Sequence, residues 1–127
     1  MTGFVTNIEE KTLKNQNFRE VIYTATNMQL VVMSLKPLED IGEEVHDTVD
    51  QFFRVEEGEG EVIMNGERTK FSADDVIIVP MGTKHNVINT SSTKILKLYT
   101  IYSPPNHPDG KVHQTREEAM ADEHDHV

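Results

Sequence analysis

Between residues 28 and 102 the chain alternates short apolar stretches with turn signals, and no helical stretch interrupts them. The segment 28-MQLVVMSLK-36 is rich in Val, Leu and Met and free of Gly and Pro, which predicts a strand largely buried on both faces. Pro37 and Gly42 then mark 36-KPLEDIGEE-44 as a turn or loop. In 51-QFFRVEEGEGEVIMNGERTKF-71 two apolar stretches flank Gly58 and Gly60, and Asn65-Gly66 is a strong hairpin signal. Further strands are expected at 76-VIIVP-80, 85-HNVIN-89 and 94-KILKLYTIY-102, with 80-PMGTKH-85 as a turn. The run 103-SPPNHPDG-110 stops regular structure. Only 114-QTREEAMADEH-124 reads as helical, with Thr115 and Glu118 spaced as a capping box. Short strands at this spacing predict an all-β sandwich or barrel.

Length bounds this to one domain, 1–127, with its barrel core at about 20–102 and an extension at 103–127. A formal net charge of −10 argues against nucleic acid or an anionic membrane as the main partner. The chain has no cysteine, so disulfides, thiolate metal sites and thiol nucleophiles drop out. Its apolar runs are too short to span a membrane, and 1-MTGFVTNIEEKT-12 has no basic-then-apolar pattern; the expectation is a soluble, cytoplasmic protein.

Any metal must then sit on His, Gln, Asn, Asp, Glu or backbone oxygen. His46 and Gln51 lie at the start of one strand, and His85 starts another after a Pro-x-Gly turn. Strands that begin at the same end of a barrel can bring these three together. Two imidazoles and an amide oxygen suit a divalent transition ion such as Zn, Mn, Fe or Ni. Asp50 alternates to the face opposite Gln51, and Asp47 is an equally weak ligand. Phe53 should point the same way as Gln51 and Phe52 the other way, toward another protomer. Met33, Tyr99 and Ile101 are further candidates for lining the cavity. His107, in 104-PPNHPDG-110, is a candidate third histidine or general base, while His124 and His126 lie in an acidic tail.

These segments resemble the two motifs of the cupin superfamily. In the second motif, Pro80, Gly82, His85 and Asn89 fall at the family's spacing, with Asp74 at its leading glycine. In the first, Gly42, His46 and Gly58 fit, Gln51 stands at the glutamate position, and Thr48 stands where the second histidine of His-x-His would be. From 18-FREVIYT-24 to 98-LYTIYSPPNHPDGKVH-113 the chain is similar to small cupins described as mannose-6-phosphate-isomerase-like.

The resemblance implies a jelly-roll barrel with an N-terminal arm, a C-terminal loop and a short helix. It implies a divalent metal on His46, Gln51 and His85, completed by water or Thr48, and a homodimer paired through outer strands. An isomerase would polarise the carbonyl of an open-chain sugar and need a base, for which His107 is the side-chain candidate. A phosphorylated sugar would need a cation, with Arg19, Lys84 and Lys97 as candidates. An iron-dependent dioxygenase and a non-enzymatic binder of a small carbohydrate or metabolite are the alternatives.

Overall fold

The computed structural model describes residues 2–122; the His124 and His126 candidates lie outside the described residues. Nine strands form two antiparallel sheets among the described residues. They are β1 (Arg19–Thr24), β2 (Gln29–Leu35), β3 (Asp50–Glu57), β4 (Glu59–Met64), β5 (Glu67–Ser72), β6 (Val76–Val79), β7 (His85–Asn89), β8 (Leu96–Ser103) and β9 (Val112–His113). The larger sheet has the order β6-β3-β8-β2-β1-β9 and the smaller one β5-β4-β7. The expected all-β jelly roll is the observed one.

Alternation decides what faces inward. Along β3, Gln51, Phe53 and Val55 are buried, and along β8 so are their partners Tyr102, Thr100 and Leu98. Phe53, Val55 and Leu98 join Val31, Met33 and Leu35 of β2 in one apolar core, where each large side chain contributes about 1.5–3 kcal/mol. The fully buried Phe53 and Met33 are thus part of the interior. Tyr99 and Ile101 are not. They alternate with the inward set, and Tyr99 packs on Phe52 across the outer face, ring centroids 6.2 Å apart. Their candidacy as cavity lining fails on this parity.

β2 is largely buried, with Val32 on its outer face fully buried, because a helix packs against that side. This helix, α1 (Ile8–Lys14), corrects the expectation that 114–124 alone is helical. Its Asn7 cap accepts a hydrogen bond from the Glu10 amide at 3.0 Å, and Thr12 is its buried residue. Lys97, outward-facing on β8, donates to the carbonyl of Asn15 just beyond α1. Burial there pushes the Lys97 ammonium below its usual pKa.

The turn at 65–66 is a hairpin: both residues have positive φ and join β4 to β5. Gly58 instead carries the chain from one sheet to the other, since β3 pairs with β6 and β8 and not with β4. At the C-terminus α2 (Arg116–Ala121) starts at Thr115, whose side chain accepts from the Glu118 amide as its capping box predicts. Arg116 ties this helix to the 40–44 segment through the Asp40 carbonyl and carboxylate at 2.8 and 2.7 Å.

Candidate metal centre

Two loops meet at one end of the interior. Glu44 and His85 exchange both backbone hydrogen bonds, each 2.9 Å, in an isolated antiparallel bridge. Directly opposed residues of such a bridge send their side chains to the same face. His46, two residues further along an extended stretch, returns to that face. The His46 carbonyl accepts the Gly82 amide at 2.8 Å, and Gly82 has φ +80°, a left-handed conformation that suits glycine. The Asp50 carboxylate accepts the Met81 amide at 2.9 Å, so this exposed carboxylate braces the turn from outside. The Pro80-x-Gly82-x-x-His85 spacing therefore locks the turn before His85 against the loop that carries His46.

Glu44, His46 and His85 each offer one donor atom, and all three lie within 4.8 Å of one another. The imidazoles are 5.4 Å apart between centroids. Nε2 of His46 is in close contact with the Glu44 carboxylate at 2.8 Å, though poorly aligned for a hydrogen bond, and Nδ1 of this buried ring has no hydrogen-bond partner. Two donors this close can share one cation. Donors about 2.0–2.2 Å from one ion sit about 2.8–3.1 Å apart when at right angles. The Gln51 amide gives its Nε2 to Thr100 Oγ1 at 3.0 Å, and its buried Oε1 has no partner. Gln51 lies beside Tyr102 in register, and the Tyr102 ring stands edge-on to His46 at 5.9 Å. One carboxylate, two imidazoles and one unpartnered amide oxygen fit a divalent cation.

His85 is prepared for this role. Its Nδ1 is 2.9 Å from the Thr83 carbonyl, which can only accept, so Nδ1 carries the proton and Nε2 keeps its lone pair. Burial, the largest influence, pushes the His85 pKa below the usual imidazole value, although the Thr83 contact works the other way. For Glu44 burial is again the largest influence and raises the pKa. The His46 contact and the charges of His46, Arg19 and His85 outweigh it, and the carboxyl is held below its usual range.

Both shifts have the same sign for stability. The unfolded chain protonates both groups before the folded one does, so acid favours unfolding. The metal-free protein should lose stability as pH falls below about 6.5, through His85, and further through the carboxylate range, through Glu44. A lower urea midpoint at about pH 5.5 than at about pH 7.5 is the expected result, and an unchanged midpoint contradicts it.

The sequence candidates are thus redistributed. His46, His85 and Gln51 are buried inward residues, as expected. Thr48 is exposed in the turn at 47–48, which breaks the alternation that would have turned it inward. The residue missed is Glu44. The motif's His-x-His is met one step earlier, as Glu44-x-His46, and four residues then separate His46 from Gln51. An acidic residue two before the histidine in an extended stretch was the available signal.

His107 is not in the metal group; its ring nitrogen Nε2 lies 3.1 Å from the Tyr102 hydroxyl. Its backbone is pinned by Gln29, whose amide accepts the His107 N–H at 3.0 Å and donates to its carbonyl at 2.8 Å. Of the candidate cations, Lys84 pairs with Glu43 on the surface and Lys97 faces outward under α1, leaving Arg19 inside. No helix among the described residues is long and apolar enough to cross a membrane.

Residues 31–102 match the Cupin_2 model, a cupin domain. The chain is 49% identical to the uncharacterized protein YrkC of Bacillus subtilis, over 94% of this chain and 67% of that one. It is 47% identical to the uncharacterized protein L612 of Acanthamoeba polyphaga mimivirus, over 86% and 70%. The crystal structure of BH2720 from Bacillus halodurans superposes with a TM-score of 0.91 at 46% identity, covering 93% of each chain. With this match over more than half its length, the chain belongs to the cupin family.

Proposed function

We propose that this cupin is a metal-dependent enzyme that isomerises a small sugar-like molecule, with Glu44, His46, His85 and Gln51 Oε1 holding the ion. The carrying observation is the Glu44–His46–His85 group, whose three donor atoms lie within 4.8 Å of one another, two of them 2.8 Å apart. A divalent ion held there would supply Lewis-acid polarisation of a carbonyl, and Zn, Mn, Fe and Ni all suit the donors. Aldose–ketose exchange also needs a group that moves a proton between neighbouring carbons. Tyr102, edge-on to His46 and 3.1 Å from His107 Nε2, is the side chain placed to do so, with His107 accepting or returning the proton behind it. The proposal includes pairing of two copies through the outer face, where Val76 and Ile78 of the edge strand β6 are exposed beside Phe52.

A second reading has its own support. Two histidines and one carboxylate are the donor set of non-haem iron oxygenases, so Fe²⁺-dependent dioxygenation competes with isomerisation. One experiment separates them. Protein reloaded with Mn²⁺, Zn²⁺ or Fe²⁺ is incubated in D₂O with a panel of free and phosphorylated aldoses, followed by proton NMR and an oxygen electrode. Loss of the C2 proton signal with ketose formation is the expected result. Oxygen uptake with iron alone transfers the assignment to the second reading, and binding without either reaction leaves a non-enzymatic binder.

A further inference from the structure

Arg19 is a buried cation with no carboxylate in ion-pair contact among the described residues. It is 3% exposed and alternates with Val21, a core residue, while its β2 partner across the pair is the core residue Met33. These neighbours place the guanidinium in the barrel interior. Its Nη1 donates to Nδ1 of His113 at 3.4 Å, and its carbon lies 5.4 Å from the Phe18 ring centroid. Its Nε is buried with no partner, and no carboxylate among the described residues pairs with it. His113 accepts from Arg19 through Nδ1, so its Nε2 carries the proton and donates to Asp122 at 2.9 Å; that carboxylate is spent on His113 and on Lys111. Burying a guanidinium against a neutral imidazole and an aromatic ring alone is costly, and an acceptor oxygen at Nε would offset the cost. The Arg19 charge also helps hold the Glu44 carboxyl below its usual range.

We propose that Arg19 is an anion-binding group inside the barrel, taking the carboxylate of a small substrate whose other oxygens face the Glu44–His46–His85 group. The position of those other oxygens rests on the metal-centre reading above; the carboxylate site itself rests on Arg19. A carboxylate fits better than a phosphate ester. One guanidinium with one unpartnered Nε–H matches a single charge, whereas a dianionic phosphate with three acceptor oxygens wants more donors. The remaining candidate cations, Lys84 and Lys97, are on the surface and under α1.

Titrating glycolate into zinc-reloaded protein, followed by NMR, tests this, with glycolamide as the uncharged counterpart. Wild type should bind glycolate, and Arg19→Gln should bind it about tenfold more weakly while glycolamide binding stays the same. Arg19→Lys should fall between, and it carries the test if Arg19→Gln does not fold. A merely structural arginine would not move the ratio of the two ligands. Equal glycolate affinity in wild type and variant overturns the proposal, as does a wild type that prefers inorganic phosphate. Zinc content measured on the same samples keeps the two readings apart. A wild type without zinc ends the metal centre, and the glycolate comparison is then made in the metal-free protein, where Arg19 alone must produce the difference.

Discussion

His85→Ala should abolish stoichiometric metal binding while leaving the fold in place. The pairing of residue 85 with Glu44 is made of main-chain atoms, so an alanine keeps both 2.9 Å hydrogen bonds of the bridge. The lost imidazole removes one of three clustered donors, and affinity should fall by more than the roughly 10–100-fold that loss of a supporting hydrogen-bond partner costs. Stability reads the same loss. Metal at about 100 times its dissociation constant should stabilise wild type by about 2.7 kcal/mol, and the variant should gain almost none of it. Thr48→Ala is the matched control: that side chain is exposed in a turn, so its metal content and its metal-linked stabilisation should equal wild type's. Equal metal content in His85→Ala and wild type contradicts the site, as does loss of metal in Thr48→Ala.

Gly60→Ala has the largest expected effect on the fold itself. Gly60 lies in β4 opposite Asn89 of β7 and Phe71 of β5. A Cβ added there would come 2.1 Å from the Ile88 carbonyl oxygen and 2.6 Å from the Phe71 ring. The ring could turn aside only by leaving the core, and the carbonyl belongs to the strand backbone. Overpacking against a main-chain atom should cost about 3 kcal/mol, which lowers the urea midpoint by about 1–2 M. Gly66→Ala is a different case: nothing lies within 4 Å of its added Cβ, so only the φ of +83° resists it. A wild-type midpoint for Gly60→Ala would mean that β4 does not pack as described.

What the sequence made legible was local. Pro80, Gly82, His85 and Asn89 were readable because one turn and one short strand place them all. Asn89 shows why its position matters: its side chain donates to the carbonyls of Leu35, Lys36 and Lys94 and accepts from Ser91, joining three segments at the end of β7. Asn65-Gly66 was equally readable, since its conformation is written in those two residues.

Glu44 was not, because 42-GEEV-45 looks like solvated acid until its backbone bridge to His85 is known. Counting forward from His46 led to Thr48, but the turn at 47–48 reverses the face of that residue. Tyr99 and Tyr102 were separable in principle, since Leu96 and Leu98 set the inward parity that Tyr102 shares and Tyr99 lacks. The helix α1 carried an Asn7–Glu10 cap signal, yet seven residues have little helical stability of their own and depend on the sheet they cover.

Two imidazoles and an amide, the donors expected from the sequence, would make a neutral shell, and the structure changes that. A carboxylate is present after all, supplied by Glu44, and Gln51 adds an amide oxygen to it. Two histidines, one carboxylate and one amide would leave a divalent ion with one net positive charge, and Arg19 would add a second positive centre for an anionic substrate.

The most direct test is a crystal of protein purified without added metal, measured across the absorption edges of manganese, iron, nickel and zinc. An anomalous peak about 2.0–2.3 Å from the Glu44 carboxylate, His46 and His85 is the predicted result. No peak there after soaking in each of the four metals, or one bound elsewhere in the molecule, would contradict it.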